Sequence, residues 1–321
     1  MTLPKVLLDV AMPAFLQAIF IADCELLPWA WLEERSALRS DVKAILSYSH
    51  TGIGDAEFDA LPNLAVVSNY GVGFDHIDIA AAARRGIPVG NTPGVVDGAT
   101  ADLTLALLLA VGRNLVIGDA FARGPGYLVS DPGRMLGRDI VGATLGIIGL
   151  GRIGREVARR ARGFGMTVLY HQRTRDLEAE ALFSARHVSL KALLSQSDFV
   201  TLHVPLTSET RGLISEQELR GMRPGAFLVN TARGAVVDHD ALLRALTEGW
   251  IAGAAVDVTE PEPLPRDHPL LALDNLVITP HLGTGTIGTR ERMAHMAREN
   301  LLAGLAGAAL PYPVAPQREG P

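Results

Sequence analysis

The sequence predicts an α/β protein in which a doubly wound parallel sheet forms the larger domain, beside a second, smaller α/β domain. Three observations support this prediction. Short apolar runs bounded by turn residues alternate with helical patterns along most of the 321 residues, as in chains that form parallel sheets. Hydrophobic residues make up 48% of the chain, but aromatic residues only 5%. This composition is typical of aliphatic cores around buried strands. The length itself favours two domains over one.

The first third of the chain contains short strand patterns, each followed by a turn or helix signal. Strands are predicted at residues 5–9, 44–48, 64–69 and 86–90. A long helix is predicted at 101–115, which is densely apolar and has no clear polar face. Such a helix must be buried, either within its own domain or against a second subunit. We therefore expect a homodimer.

Gly149, Gly151 and Gly154 form a G-x-G-x-x-G turn directly after the apolar run 144–148. A helix is predicted at 152–164 and a further strand at 166–170, which completes the βαβ context that this motif needs. Without Cβ atoms, the turn can be tight, the backbone can approach a diphosphate, and the helix can pack close to the strand. The N–H groups at the start of the helix would bind that diphosphate. The pattern favours a dinucleotide site over a purely structural glycine turn.

The end of the strand at 166–170 indicates which dinucleotide is bound. An NAD site usually carries an acidic residue there, which binds the adenosine ribose. This chain instead has a basic segment that contains Arg173, Thr174 and Arg175. Arginine pairs well with a phosphate, and the threonine hydroxyl can donate to one. We expect NADP(H) to be preferred and NAD(H) to be possible; the alternative is a solvated basic loop, since Asp176 and Glu178 follow.

Four further strands are predicted, at 199–203, 226–230, 252–257 and 276–279, and they alternate with helical stretches. A final helix at 289–305 follows all of them and can pack back onto the N-terminal part. The predicted domains are therefore a discontinuous substrate-binding domain, 1–98 with 290–321, and a dinucleotide-binding domain, 99–289.

A charged or titratable residue follows each of three successive strands: Arg233, Glu262 and His281. Ligands of open parallel sheets bind beyond the carboxyl ends of the strands, so these residues are candidates for catalysis. Each also has a structural alternative. Arg233 can pair with Asp238 or Asp257, Glu262 can be a surface carboxylate, and His281 can be a loop histidine.

Composition argues against several classes of protein. The net charge is −6 and there is no basic stripe, which argues against nucleic acid as a partner. Cys24 is the single cysteine, so no disulfide or cysteine zinc site forms within one chain, and no metal is expected. The sequence shows neither a signal-peptide pattern nor an uninterrupted apolar stretch of 18 residues. We expect a cytoplasmic protein that acts on a small molecule and does not bind a membrane.

Across essentially its whole length, the chain resembles the D-isomer-specific 2-hydroxyacid dehydrogenases. Within that family it is most similar to glyoxylate/hydroxypyruvate reductases, with 2-ketoaldonate reductases next. The resemblance implies a Rossmann nucleotide domain and a flavodoxin-like substrate domain. The segments that carry it are 69–78, 91–94, 149–154, 203–207, 230–238, 257–263 and 280–281.

The resemblance also implies the reaction, reduction of a 2-oxo acid to the D-2-hydroxy acid with a nicotinamide cofactor. Arg233 would bind the substrate carboxylate and polarise the carbonyl oxygen. His281 would protonate that oxygen as general acid, and Glu262 would favour the imidazolium form of His281. The backbone amides of Val72 and Gly73 would grip the carboxylate, although the glycines around them would also suit a simple tight turn.

The same resemblance assigns contacts to the cofactor. Asp257 would accept a hydrogen bond from the nicotinamide ribose or amide, or alternatively pair with Arg233. Thr100 would contact the cofactor at the start of the long helix, or alternatively cap that helix. The other implied contacts are Arg152 and Ile153 at the diphosphate, Val204, Pro205 and Thr210 on the adenosine side, and Thr231, Ala232 and Gly283 on the nicotinamide side.

One departure from the resemblance concerns the substrate. Ser130 and Arg134 stand where glyoxylate/hydroxypyruvate reductases often carry tryptophans, so a longer or hydroxylated 2-oxo acid is possible; alternatively, Arg134 forms a surface ion pair. Two other activities remain open at this point. A phosphite dehydrogenase also needs an arginine and a histidine, and some relatives are non-catalytic corepressors that bind the cofactor as a regulatory ligand. Glu262 argues against a formate dehydrogenase, in which glutamine has that role.

Overall fold

The computed structural model describes residues 2–30 and 36–314. The chain divides into two units, Met1–Val96 with Thr286–Pro321, and Asp97–Gly285. Each unit contains a parallel β-sheet with helices around it. This arrangement confirms the predicted α/β class.

The first unit contains a five-stranded sheet in the order β2-β1-β3-β4-β5. This 2-1-3-4-5 order is that of flavodoxin-like folds. The strands are β1 (Lys5–Leu8), β2 (Glu25–Pro28), β3 (Val42–Ser47), β4 (Val66–Asn69) and β5 (Val89–Gly90). The helices are α1 (Ala14–Gln17), α2 (Asp55–Ala60), α3 (Ile79–Arg84) and, from the end of the chain, α11 (Ile287–Leu305).

The last helix, α11, packs directly on the sheet of the first unit. The Ser68 hydroxyl on β4 donates a 2.7 Å hydrogen bond to the carbonyl oxygen of Ala297. A Cβ at Gly304 would lie 2.4 Å from the Cβ of Val66, so only glycine permits this close approach. The end of the chain therefore completes the core that its first hundred residues begin.

The second unit contains a seven-stranded, all-parallel sheet in the order β12-β11-β10-β9-β6-β7-β8. When the sheet is followed from β8 towards β12, its first six strands have the 3-2-1-4-5-6 order of the Rossmann fold. Strand β12 adds a seventh strand at the edge. The strands are β6 (Thr144–Ile148), β7 (Thr167–His171), β8 (Arg186–His187), β9 (Phe199–Leu202), β10 (Phe227–Asn230), β11 (Gly253–Val256) and β12 (Leu276–Ile278). The helices are α4 (Asp97–Gly112), α5 (Leu115–Arg123), α6 (Arg152–Gly163), α7 (Leu177–Phe183), α8 (Leu190–Gln196), α9 (Glu216–Gly221) and α10 (His239–Thr247).

The strands β2 and β8 are missing from the sequence prediction. Both are edge strands and both are largely exposed. An edge strand pairs on one side and buries little surface, so its sequence needs no long apolar run. Pro28 is tolerated at such an edge because the ladder does not need its missing N–H.

Helix α4 contains most of the apolar stretch 101–115, for which the sequence shows no polar face. Leu105, Leu108 and Val111 belong to the core of the second unit, together with residues of β6, β9 and α6. The apolar character of this helix is therefore accounted for within one chain. No single helix among the described residues is long and apolar enough to span a bilayer, although α4 and α5, which meet at a 60° bend, reach the required length and composition as a pair.

Candidate active site

The three glycines between β6 and α6 have different local environments. Gly149 has φ +93°, and a Cβ there would lie 2.7 Å from the carbonyl oxygen of His203. A Cβ at Gly154 would lie 2.2 Å from the carbonyl oxygen of Gly149. At Gly151, the N-cap of α6, a Cβ would meet nothing within 4 Å.

These environments fit a dinucleotide. Gly149 and Gly154 close the turn and bring the helix against the strand, while Gly151 leaves open space at the helix N-terminus, where a diphosphate can approach the amides. Arg152 and Ile153 occupy the first turn of α6, directly after that N-cap. The turn also lies where the strand order reverses between β6 and β9, which is where open α/β sheets bind their ligands.

Gln172 occupies the tip of β7, and the sequence analysis assigned it no role. Its Oε1 accepts a 3.1 Å hydrogen bond from the amide of Leu150, inside the glycine turn. Its Nε2 donates a 2.6 Å hydrogen bond to the carbonyl oxygen of Thr174. Gln172 thus ties the turn to the basic segment without placing a negative charge there.

The two arginines of the basic segment differ in their contacts. Arg175 donates to both carboxylate oxygens of Glu180, at 2.7 Å each, and this pairing is the main reason that the pKa of Glu180 falls to about 2. Arg173 is exposed. The pKa of Glu209 is lowered chiefly by the Thr207 hydroxyl and, to a smaller extent, by the charge of Arg173. Arg173 therefore lies towards the loop that carries Glu209.

The acidic residues after the basic segment pair elsewhere. Arg155 on α6 forms ion pairs with Asp176 at 2.5 Å and with Glu178 at 3.1 Å. Asp176 also caps α7, because its side chain accepts a hydrogen bond from the amide of Ala179. These two carboxylates are held by Arg155 and by the start of α7.

The loop after β9 contains the predicted adenosine-side residues Val204, Pro205 and Thr210. The Thr210 hydroxyl donates a 2.6 Å hydrogen bond to the carbonyl oxygen of Pro205 and accepts one of 2.8 Å from the amide of Thr207. Thr210 therefore fixes the shape of this loop, whether or not it also contacts a ligand.

Asn230 positions the residues that follow β10. Its buried side chain accepts a 3.0 Å hydrogen bond from the amide of Ala232 and donates one of 2.8 Å to the carbonyl oxygen of Arg233. The guanidinium of Arg233 also donates to the carbonyl oxygen of Ala232, at 2.8 Å. The sequence analysis gave Asn230 no role, although its place at the last position of the strand was a usable signal.

Thr100 lies inside the first turn of α4, which begins at Asp97. The alternative that Thr100 caps this helix is therefore wrong, since three helical residues precede it. A Cβ at Gly283 would lie 3.5 Å from the Thr100 hydroxyl, and the hydroxyls of Thr104 and Thr231 are 2.9 Å apart. The first half of α4 thus borders two of the predicted nicotinamide-side residues.

Asp257 holds the loop that carries His281. Its carboxylate accepts three hydrogen bonds, from the Thr279 hydroxyl at 2.6 Å and from the amides of Leu282 and Gly283 at 2.7 Å each. Burial raises the pKa of Asp257, and these three bonds oppose the rise. Asp257 fixes this loop before any ligand binds.

His281 and Glu262 form a direct pair. The imidazole Nδ1 lies 2.6 Å from Oε1 of Glu262, and the side chains are 31% and 35% exposed, so a small ligand can reach them. His281 has φ +55°, a conformation that costs a non-glycine residue about 1–3 kcal/mol. Its amide is held by the carbonyl oxygens of Asp257 and Thr279, at 2.9 and 3.1 Å. The structure therefore maintains a strained residue at the end of a strand, as functional sites often do.

In the first unit, two asparagine side chains bind the carbonyl groups of the loop after β4. The side-chain amide of Asn69 donates to the carbonyl oxygens of Gly71 and Gly73, at 2.9 and 2.8 Å. That of Asn91 donates to the carbonyl oxygen of Val72 at 2.8 Å. Among the backbone hydrogen bonds of the described residues, the amides of Val72 and Gly73 donate to no acceptor. Two neighbouring amides without an internal acceptor can donate to an anion such as a carboxylate.

The loop that departs from the family resemblance has its own contacts. The guanidinium of Arg134 lies 4.1 Å above the ring of Phe121, a cation–π contact. Ser130 is exposed. The arginine therefore packs on its own unit through an aromatic ring.

Known proteins resemble the chain along most of its length. Residues 105–283 match the profile of the NAD binding domain of the D-isomer specific 2-hydroxyacid dehydrogenases. The glyoxylate reductase of Korarchaeum cryptofilum is 50% identical over 82% of this chain and 80% of its own. That of Pyrococcus furiosus is 45% identical over 94% and 92%, respectively.

A solved structure extends the comparison. The NADPH-dependent glyoxylate/hydroxypyruvate reductase of Sinorhizobium meliloti, in complex with NADP and malonate, is 31% identical with a TM-score of 0.87 and covers 97% of both chains. The profile match, the sequence identities and the glycine turn of the Rossmann unit agree on a nicotinamide cofactor. The chain therefore belongs to the D-isomer specific 2-hydroxyacid dehydrogenase family, as an NAD(P)-dependent enzyme.

Proposed function

We propose that this enzyme reduces a small 2-oxo acid of the glyoxylate and hydroxypyruvate type to the D-2-hydroxy acid, with NADPH as the preferred cofactor and His281 as the proton donor. The observation that carries the proposal is the 2.6 Å pair of His281 with Glu262, at the edge of the sheet where the strand before Arg233 also ends. The names of the curated relatives support the substrate class.

The bound nicotinamide supplies the hydride that the reduction needs. Arg233 binds the carboxylate of the substrate and stabilises the negative charge that develops on the carbonyl oxygen. Because Nδ1 of His281 faces Glu262, Nε2 is the nitrogen that delivers the proton to that oxygen. The carboxylate of Glu262 orients the ring and favours its protonated form. The amides of Val72 and Gly73 bind the substrate carboxylate as additional donors.

We infer the preference for NADPH from the tip of β7. Gln172 stands there without a charge, so the tip of the strand does not itself repel a 2′-phosphate, and Arg173 and Thr174 can bind it. Arg175 is already paired with Glu180 and would have to share its guanidinium. Arg173 is therefore the principal phosphate-binding residue in this proposal.

The other predicted cofactor contacts remain part of the proposal. Gly149, Gly151, Gly154, Arg152 and Ile153 serve the diphosphate. The adenosine-side residues are Val204, Pro205 and Thr210, and the nicotinamide-side residues are Thr100, Thr231, Ala232, Asp257 and Gly283. For Asp257 and Thr210, the contacts described above indicate a structural role in addition to any ligand contact.

We also propose a homodimer, for a reason that differs from the sequence argument. Helix α4 is buried in its own unit, but the segment 115–141 exposes a set of large apolar side chains. These are Leu115, Val116, Tyr127, Leu128, Val129, Leu136 and Val141, each at least 50% exposed. Exposed apolar side chains that form a patch mark an interaction site, and in this proposal a second copy of the chain covers them.

Initial rates test the function directly, with glyoxylate and hydroxypyruvate, each with NADPH and NADH. We expect turnover that prefers NADPH. Arg173→Ala should reduce that preference about tenfold or more, the effect of losing one charge-assisted hydrogen bond, whereas the exposed Arg159→Ala on α6 should not. His281→Ala should lower kcat about 100-fold or more, with little change in cofactor affinity.

The other outcomes identify which part of the proposal fails. Preference for NADH would retain the enzyme and overturn the role of Arg173. Absence of turnover with both 2-oxo acids would overturn the proposed substrates, and the same assay with 2-ketoaldonates and phosphite would then be decisive. Cofactor binding without turnover on any of them would indicate a dinucleotide sensor.

A further inference from the structure

His203, the residue directly after β9, contains an unexplained pair of polar atoms. Both nitrogens of its imidazole are buried and have no hydrogen-bond partner among residues 2–30 and 36–314. The hydroxyl of Thr201, two residues earlier, is also buried and has no hydrogen-bond partner among these residues. Successive residues of a strand alternate between faces, so these two side chains lie on the same face of the sheet.

That face is the one on which α4 and α6 pack. Phe199, two residues before Thr201, belongs to the core that these helices share with β6 and β10. His203 thus lies beneath the N-terminal ends of α4 and α6.

The neighbours of His203 along the sheet edge are the glycine turn and Thr231. The amide of His203 donates to the carbonyl oxygen of Ile148 at 2.8 Å, and its own carbonyl oxygen lies against Gly149. On the other side, Leu202 pairs with Asn230, so Thr231 follows at the level of His203. The backbone of His203 lies between two stretches of chain that carry predicted cofactor contacts.

The protonation state of this ring limits what it can do. Burial lowers the pKa of His203 to about 3, so near neutral pH the imidazole is uncharged, with one N–H donor and one acceptor nitrogen. A leucine would fill similar space and leave no polar atom unsatisfied. Buried polar groups without partners are rare in native proteins, so each calls for an explanation such as a bound group that supplies the partner.

We propose that His203 is a cofactor-binding residue whose ring N–H donates to an oxygen of the nicotinamide-side phosphate or nicotinamide ribose of the bound dinucleotide. The imidazole is then satisfied in the loaded enzyme and unsatisfied without the cofactor. Adenosine 2′,5′-bisphosphate carries neither the nicotinamide-side phosphate nor the nicotinamide ribose, so it cannot form this contact.

Binding and stability measurements on His203→Leu test this assignment. We expect the variant to bind NADPH and NADH about tenfold more weakly and to bind adenosine 2′,5′-bisphosphate as the wild type does. Without cofactor, we expect it to melt at the wild-type temperature or above, because the substitution removes unsatisfied polar atoms. Thr201→Val is the matched control, since it removes the other unsatisfied group on this face and should not change the affinity for NADPH.

The opposite results would overturn the proposal. A cofactor-free His203→Leu that melts well below the wild type, but binds NADPH normally once folded, would show that the ring is satisfied within the protein. Equal weakening of NADPH and adenosine 2′,5′-bisphosphate would place the contact elsewhere.

The unmodified enzyme provides a measurement that does not depend on a variant folding. In protein labelled with ¹⁵N-histidine, we expect the ring N–H signal of His203 to shift and to become protected from exchange on addition of NADPH. Adenosine 2′,5′-bisphosphate should have no such effect. A signal that is protected to the same degree with and without NADPH would refute the assignment.

Discussion

Replacing Gly154 by alanine should disrupt the turn between β6 and α6. The new methyl group would lie 2.2 Å from the carbonyl oxygen of Gly149, whereas ordinary contacts begin at 3.4 Å, a shortfall of about 1.2 Å. Both groups are anchored on the backbone, so no side chain can rotate away. Overpacking costs about 1–3 kcal/mol, and we expect the upper value because the clash is with backbone. For a unit of this size, about 3 kcal/mol corresponds to a fall in melting temperature of roughly 6–12 °C.

Gly151→Ala is the matched control for this experiment. A methyl group there meets nothing within 4 Å, and the backbone φ of −75° suits alanine, so the melting temperature should stay within about 1 °C. Its affinity for NADPH should nevertheless fall about tenfold, because the methyl group occupies space that the diphosphate needs.

Differential scanning fluorimetry without cofactor and calorimetric titration with NADPH separate the two effects. If Gly154→Ala melts with the wild type, the contact with Gly149 does not constrain the turn. If Gly151→Ala retains full affinity, the open space at that residue is not where the diphosphate approaches.

Two further predictions concern stability and assembly. Between pH 6.5 and about 3, the unfolded chain protonates His203 while the folded chain does not, so acidification should lower the free energy of unfolding by about 1.4 kcal/mol per pH unit from this residue. His203→Leu should therefore lose less stability between pH 6.5 and 5 in urea titrations, and equal losses would contradict the lowered pKa. Leu128 is 89% exposed, so Leu128→Asp should shift the proposed dimer towards monomer in sedimentation velocity, and a monomeric wild type would refute the dimer.

Elements with strong local requirements could be predicted from the sequence. The glycine turn is one of them, because glycine is needed wherever a Cβ would strike nearby backbone, and its spacing to the next helix is fixed by the motif. The buried strands of both sheets were predicted for a similar reason, since a strand that is covered on both faces needs an apolar run. The edge strands β2 and β8 were not, because they are largely exposed and need no apolar run, whereas the more buried edge strands β5 and β12 were predicted.

The candidate site shows the same division. The sequence placed Arg233, Glu262 and His281 at strand ends and resembled a family in which such residues have roles, but it did not show that Glu262 approaches Nδ1 of His281 to 2.6 Å. It also predicted Asp257 as a ligand contact without showing that three donors from one loop already occupy its carboxylate.

The sequence alone determined the class of the fold, the position of the dinucleotide turn and the family, because these depend on residue types at fixed spacings along the chain. Only the tertiary structure decided that Arg175 is paired with Glu180, that Asp257 supports the His281 loop, and that both nitrogens of His203 are buried without partners in the described part of the chain. These facts depend on which strands lie side by side and on what they bury. Pairing and burial join residues that are far apart in sequence, and no local pattern encodes them.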